Sequence, residues 1–255
     1  MELTGLSPLF INGGLVHTPT VPCLDAYGSP GDDPRFGDAV PAADDLFKKG
    51  RSIGQFLGSV SDLLVLGECV PGGTTTSMCV LRGLGYDAFV SSSYIENPVQ
   101  MKEEVWRITE GRIRGTTISA PLDIVRCCGD PMIAIAAGIA ATYTGPLILA
   151  GGTQMLSVAA ILKGMDLPVP RVATTCYVRD DPSANFAEVA GMIGVEVSYV
   201  DPDFGELGHS GLARYCIGEV KEGMGAGGAM LLAWLMGYSP EEIRKKILHT
   251  VHAYA

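Results

Sequence analysis

The stretch DLLVLGECVPGGTTTSMCVLRGLGY, residues 62–86, decides how the rest of the chain is read. Its first six residues are an apolar run of strand length. GECVPGGTTTS at 67–77, which shares Gly67 with that run, is rich in glycine and threonine, and MCVLRGLGY then returns to an apolar helical pattern. Strand, glycine loop and helix in that order present backbone N–H groups and a helix N-terminus to a phosphate. GECVPGGT has the glycine spacing of a triphosphate loop, but Gly73 stands where that loop needs a lysine, and the edge carries a carboxylate, Glu68. Without the cation a triphosphate's β and γ charges go uncompensated, so ATPase and kinase chemistry are disfavoured and a single phosphate is the better fit.

The same alternation runs on both sides. LSPLFINGGLV (6–16) reads as a short strand, and 17–41, rich in Pro, Gly and Asp, as an ordered loop. AADDLFKKGRSIGQFLGSV (42–60) has helical spacing through Leu46, Phe47, Ile53, Phe56 and Leu57, weakened by Gly50 and Gly54. AFVSSS (88–93) is another short apolar run, and PVQMKEEVWRITE (98–110) a helix with Pro98 at its first turn. PLDIVRCCGDPMIAIAAGIAATY (121–143) gives one or two helices divided at Gly129–Pro131. PLILAGG and RVATTCYV are strand-length runs separated by the helical TQMLSVAAILKGM. SANFAEVAGMIG is helical, VEVSYVDP alternates as a strand, and residues 225–255 form two helices divided at Gly237–Pro240. Strands alternating with helices predict an α/β fold with a parallel sheet covered on both faces. Residues 1–255 read as a single domain, with 216–255 a candidate helical subdomain.

Composition narrows the partners. The 255 residues carry a formal net charge of −10, only 18% are charged, and basic residues form no block. Nucleic acid is therefore not expected. The seven cysteines are odd in number, lack C-x-x-C pairs and are scattered apart from Cys127 and Cys128, which predicts reduced thiols in a cytoplasmic protein and no zinc site. MELTGLSPLF lacks a signal-peptide pattern. The most apolar segment (132–152) is broken at Thr144, Gly145 and Pro146 before reaching membrane length.

Two further motifs fit only nominally. LLVLGECVPGGTT approaches the phosphate loop of the diphosphate-dependent phosphoribosyltransferases, but those place two adjacent acids on the ribose, and Glu68 is followed by Cys69. GMGAGG (223–228) matches the dinucleotide fingerprint in letters, yet the elements after it are helical. Glu222 lies in EVKEGMGAGGA, directly ahead of an apolar helix. Partial desolvation there would raise its pKa and suit it to take a proton near neutral pH; the plainer alternative is a negative charge favoured at a helix N-terminus.

GECVPGGTTTS, PLDIVRCCGDPMIAIAAG, LILAGGTQMLSVAAIL and GEVKEGMGAGGAMLLA occur in the order found in one family. Over nearly its whole length the chain resembles nicotinate-nucleotide:dimethylbenzimidazole phosphoribosyltransferase, and most closely its archaeal-type homologues. The resemblance implies a Rossmann-like, mostly parallel sheet with helices on both faces and a small helical C-terminal part. Members are usually longer at the N-terminus, which implies either a short form or a truncation here. The implied reaction is phosphoribosyl transfer from nicotinate mononucleotide to a benzimidazole or related base. It yields an α-riboside phosphate for cobamide assembly, without metal or cofactor, in a cytoplasmic homodimer. By position, Glu222 matches the general base and Glu68 a second catalytic or orienting carboxylate. Gly72, Gly73, Thr74, Thr75 and Thr76 match the phosphate segment. SSSYIENPVQMK supplies Ser92 and Lys102 as nucleotide contacts, although a solvated helix lysine is an equal alternative for Lys102. Gly129 and Asp130 stand where bacterial members have two glycines, and Gly151 and Gly152 where they have Asp-Gly, so the resemblance implies nucleotide-site positions for all four. The base-binding wall would come from Tyr27, Asp32 and Arg35, for which ordinary loop packing is the alternative. The acceptor is dimethylbenzimidazole, adenine or another purine or phenolic base. His17, His209, His249, His252 and Cys69 need no catalytic role. The competing reading is a homologue that binds the nucleotide without turning it over.

Overall fold

The protein is described from a computed structural model covering residues 2–17, 19–92, 94–219 and 223–253. Two short strands, β1 (Phe10–Asn12) and β2 (Cys23–Asp25), pair in parallel near the start. The main sheet holds β3 (Leu64–Gly67), β4 (Leu147–Ala150), β5 (Arg171–Thr175) and β6 (Val197–Val200), all parallel and in that spatial order. Its register pairs Leu64 with Leu147, Val172 with Leu149, and Val172 with Val197.

Strand periodicity assigns the two faces. Leu64, Leu66, Leu147, Leu149, Val172, Val197 and Tyr199 join the main core, while Val65, Ile148, Ala173 and Val200 face the other way onto Leu231. Because the strands advance in one direction, right-handed crossovers bring the connecting helices to one side. That layer contains α1 (Ala43–Val60), α2 (Gly73–Gly83), α3 (Val99–Arg114), α4 (Pro121–Cys128), α5 (Pro131–Thr142) and α6 (Thr153–Gly164). A short α7 (Cys176–Arg179) and α8 (Phe186–Ile193) follow β5. Both α5 and α6 are apolar nearly all round, as helices enclosed within a core must be. The opposite face is covered by a wide π-helical turn, Met224–Ala229, running into α10 (Met230–Leu235). A second small core joins Phe204, Leu212, Ala226, Met230, Ala233 and Ile243. It gathers a 3-10 turn (Phe204–Leu207), α9 (Ser210–Ala213) and α11 (Pro240–Ala253).

Gly50 and Gly54, which weaken α1 as an isolated helix, are required by its packing. β-Carbons there would collide with the Ile135 and Ile139 carbonyl oxygens of α5, and one on Gly138 with the Phe47 carbonyl. Three glycines let the two backbones touch. AFVSSS, although apolar, pairs with no strand among the described residues. Side chains take its backbone groups instead: the Asn185 amide oxygen accepts from Phe89 N–H at 2.7 Å, Arg82 donates to the Ala88 carbonyl and Asn97 to that of Val90. β2 was absent from the sequence expectation because CLD lies inside a loop-like run of Pro, Gly and Asp.

Candidate functional site

In a parallel α/β sheet, the loops leaving the carboxyl ends of the strands form the binding crevice. Here those ends supply Glu68 after β3, Gly151 and Gly152 after β4, and Thr175 as the last residue of β5. The α2 loop turns sharply at Gly72, whose φ of 74° lies in the left-handed region that glycine occupies without strain. Gly73 N–H then donates to the Val70 carbonyl, Thr75 N–H to Gly72, and the Thr76 hydroxyl to Gly73. Thr74, Thr75 and Thr76 form the half-exposed first turn of α2. This is an anion-favouring helix N-terminus.

Glu68 stands beside it. Its Oε2 accepts from Gln154 Nε2 at 2.8 Å, which ties the carboxylate to the first turn of α6. Gly151 packs on its other side, where a β-carbon would lie 3.2 Å from Glu68 Oε1; one on Gly73 would fall 2.5 Å from Gln154 Nε2. The glycines leave room for the carboxylate and its amide partner to meet between two helix N-termini. Gly152 caps α6, its carbonyl accepting from Met155 N–H. Gly223 closes the group: a β-carbon on it would lie 2.6 Å from the Gly151 carbonyl carbon and 2.7 Å from Thr174 Oγ1. Met224 covers Gly67, its Sδ 3.2 Å from where a β-carbon would stand. Glu222 lies outside the described residues.

The other expected positions form separate clusters. Lys102 is buried, and its ammonium donates to the Ser91 carbonyl (2.7 Å), Asn97 Oδ1 (2.8 Å) and, more weakly, the Val90 carbonyl. This corrects the alternative of a solvated helix lysine, because the surrounding carbonyls draw the ammonium into the loop before α3. Ser92, also buried, accepts Tyr94 N–H on its hydroxyl. Gly129 ends α4, and Asp130 caps α5 by accepting Met132 N–H at 2.8 Å. Burial pushes the Asp130 carboxyl above its ordinary range, opposed by that backbone hydrogen bond. The turn packs against the 28–40 loop, where Ala39 N–H and Val40 N–H donate to the Cys127 and Arg126 carbonyls. Tyr27 is 80% exposed, with φ at 51°. Asp32 is exposed, and its N–H donates to the Ala39 carbonyl. Arg35 forks onto Asp33 through Nε and Nη2 and lies over the Phe36 ring.

Gln154 and Thr174 belong to the Glu68 cluster and were missed from sequence. Gln154 left a usable signal, a polar residue two places after Gly-Gly in an otherwise apolar helix. Thr174 left none, because a β-branched residue in a strand needs no other explanation. Burial pushes the Cys79 thiol up to about 12 and Cys128 well above its usual value. Among the described residues no group of three or more His, Cys, Asp or Glu side chains is placed to hold a metal, and no helix is long and apolar enough to cross a membrane.

The chain is an α/β protein with a parallel sheet, helices on one face and a π-turn on the other. Two solved structures share the fold. Nicotinate-nucleotide-dimethylbenzimidazole phosphoribosyltransferase from Thermus thermophilus has a TM-score of 0.60 at 16% identity, over 94% of this chain and 67% of that one. CobT from the same organism gives 0.63 at 16% identity, over 94% and 68%. The chain itself belongs to the UPF0284 family. The UPF0284 protein of Methanosarcina mazei is 42% identical over 258 residues, covering 97% of this chain and 73% of that protein. That of Methanothermobacter thermautotrophicus is 40% identical, covering 97% and 72%. No family model matches the sequence.

Proposed function

We propose that the protein transfers the phosphoribosyl group of nicotinate mononucleotide to a nitrogenous base, dimethylbenzimidazole or a related base, giving an α-riboside phosphate for cobamide assembly. The observation that carries this reading is the Glu68 carboxylate, hydrogen-bonded to Gln154 and seated against Gly151 between the α2 and α6 N-termini. A monophosphate on the α2 turn would be held by backbone N–H groups and the helix dipole, without a lysine. Glu68 then faces the ribose hydroxyls or the cationic pyridinium glycoside. A base nitrogen attacks C1′, the C1′–N bond to nicotinate breaks with its electron pair leaving on the pyridine nitrogen, and the configuration inverts. Glu222 takes the proton from the base's other nitrogen. Positioning supplies most of the acceleration, since the leaving group is already activated. On this reading the reaction needs no metal, the partners are two small molecules, and the protein acts as a cytoplasmic homodimer.

Lys102 favours a second reading, a nucleotide-binding relative without turnover, because its ammonium is engaged by internal carbonyls. The two separate in one assay: protein, nicotinate mononucleotide and a panel of bases, with chromatography for free nicotinate and the new riboside phosphate. Base-dependent nicotinate release that is lost in Glu222→Gln and in Glu68→Gln supports transfer and names the acceptor. Binding of the mononucleotide with no product from any base refutes it.

A further inference from the structure

We infer that Thr174 is a positioning residue for this transfer: its hydroxyl is the hydrogen-bond partner that the Gly223 turn takes up when substrate binds. The inference rests on the transferase reading above. Thr174 has no exposed surface, and its Oγ1 has no hydrogen-bond partner among the described residues. A buried hydroxyl left unpaired carries its full desolvation cost, so its presence at a site calls for an explanation. The next residue shows the contrast, since Thr175 Oγ1 accepts Val178 N–H and caps α7.

The location gives the idle hydroxyl its meaning. Thr174 Oγ1 lies 2.7 Å from where a β-carbon on Gly223 would stand, and the same point is 2.6 Å from the Gly151 carbonyl carbon. Gly151 packs on Glu68, and Gly223 adjoins Glu222 in sequence. Thr174 therefore sits where Gly223 meets Gly151, the glycine that packs on Glu68. The turn it touches has an unusual geometry. Gly228 N–H reaches back five residues to the Gly223 carbonyl at 3.1 Å, and Gly227 rests on the Thr174 backbone. Such π-turns are rare, and functional sites are where they concentrate. A small displacement of Gly223 on substrate binding brings a backbone polar group onto the Thr174 hydroxyl, and the bond formed holds Gly223 against Gly151, which packs on Glu68.

The test uses Thr174→Val, which keeps the shape and removes the hydroxyl, and Thr174→Ser, which keeps the hydroxyl. In the ligand-free protein Thr174→Val leaves Tm unchanged or raises it by about 2 to 4 °C, because it removes an unpaired group. With nicotinate mononucleotide and the acceptor base it lowers kcat by about tenfold or more with little change in KM, and Thr174→Ser restores most of kcat. Wild-type kcat in Thr174→Val overturns the inference. So does a fall in its Tm, which would show the hydroxyl already bonded in the free protein, or failure of Thr174→Ser to rescue, which would make the effect one of packing. Wild-type protein in the same assay separates this from the parent reading: if it releases no nicotinate with any base, the transferase reading itself fails and takes this inference with it.

Discussion

Gly138→Ala should unfold the protein at a markedly lower temperature, although alanine is the better helix former. In the middle of a helix the exchange gains about 1 kcal/mol from propensity alone. Against this, the new methyl would collide with the Phe47 carbonyl oxygen and lie 2.9 Å from Arg51 N and 3.0 Å from Gly50 Cα. All three are backbone atoms of α1, so no side chain can swing aside and the two helices must separate. Overpacking costs about 1–3 kcal/mol, and a contact with unyielding backbone belongs at the upper end. The difference is a net loss of about 2 kcal/mol, or about 4–8 °C in Tm for a chain of this size. Gly111→Ala in α3 is the matched control: a β-carbon there meets nothing within 4 Å, so it should gain up to about 1 kcal/mol. Urea titrations with unchanged slope, run beside thermal melts, read both. A Gly138→Ala protein as stable as wild type would refute the claim that glycine backbones set the α1–α5 spacing.

Lys102→Met should destabilise the ligand-free protein by about 2–3 kcal/mol, because it strips a charged donor from the Ser91 carbonyl and Asn97; if Lys102 serves only a bound phosphate, Tm stays put and nucleotide affinity alone falls. Two aspartates should give opposite pH signatures in urea melts between about pH 3 and pH 7. Ser119 and Ala120 N–H groups, with Arg126 behind them, hold the Asp123 carboxyl below its usual range. Its advantage over Asp123→Asn is therefore present above about pH 3.9 and lost as pH falls through the lower folded value. Burial raises Asp130, so its contribution is present below about pH 3.9 and lost as pH rises through the raised value. Asp130→Asn, whose side-chain oxygen can still accept Met132 N–H, should thus gain on wild type toward neutral pH. Parallel curves for wild type and both variants would refute these assignments.

The sheet and its connecting helices were legible because their signals are local: alternation in 195–200, apolar spacing in 42–60, and breaks at Gly129–Pro131 and Gly237–Pro240. The failures have non-local causes. AFVSSS has strand composition, yet Arg82, Asn97, Lys102 and Asn185 reach its backbone first. Gly50 and Gly54 look like helix faults until α5 is laid against them. GMGAGG reads as the start of an ordinary helix, but Gly227 and Gly228 bring the backbone so close to Thr174 and Ala150 that a wide turn forms. In the site, Glu68 was visible as an acid in a glycine loop. Its partner Gln154 lies 86 residues away and could be paired with it only by folding.

Residues 224–235 come after all four strands in the chain, yet it is their Leu231 that packs over Val65, Ile148, Ala173 and Val200. On a ribosome, the helix-side layer can assemble while that face of the sheet is still bare. An apolar, parallel, partly finished sheet is slow to form and prone to association. The nascent protein is therefore most exposed to aggregation just before the π-turn emerges, and slowing translation at that point should cost more soluble yield than an equal pause within α1.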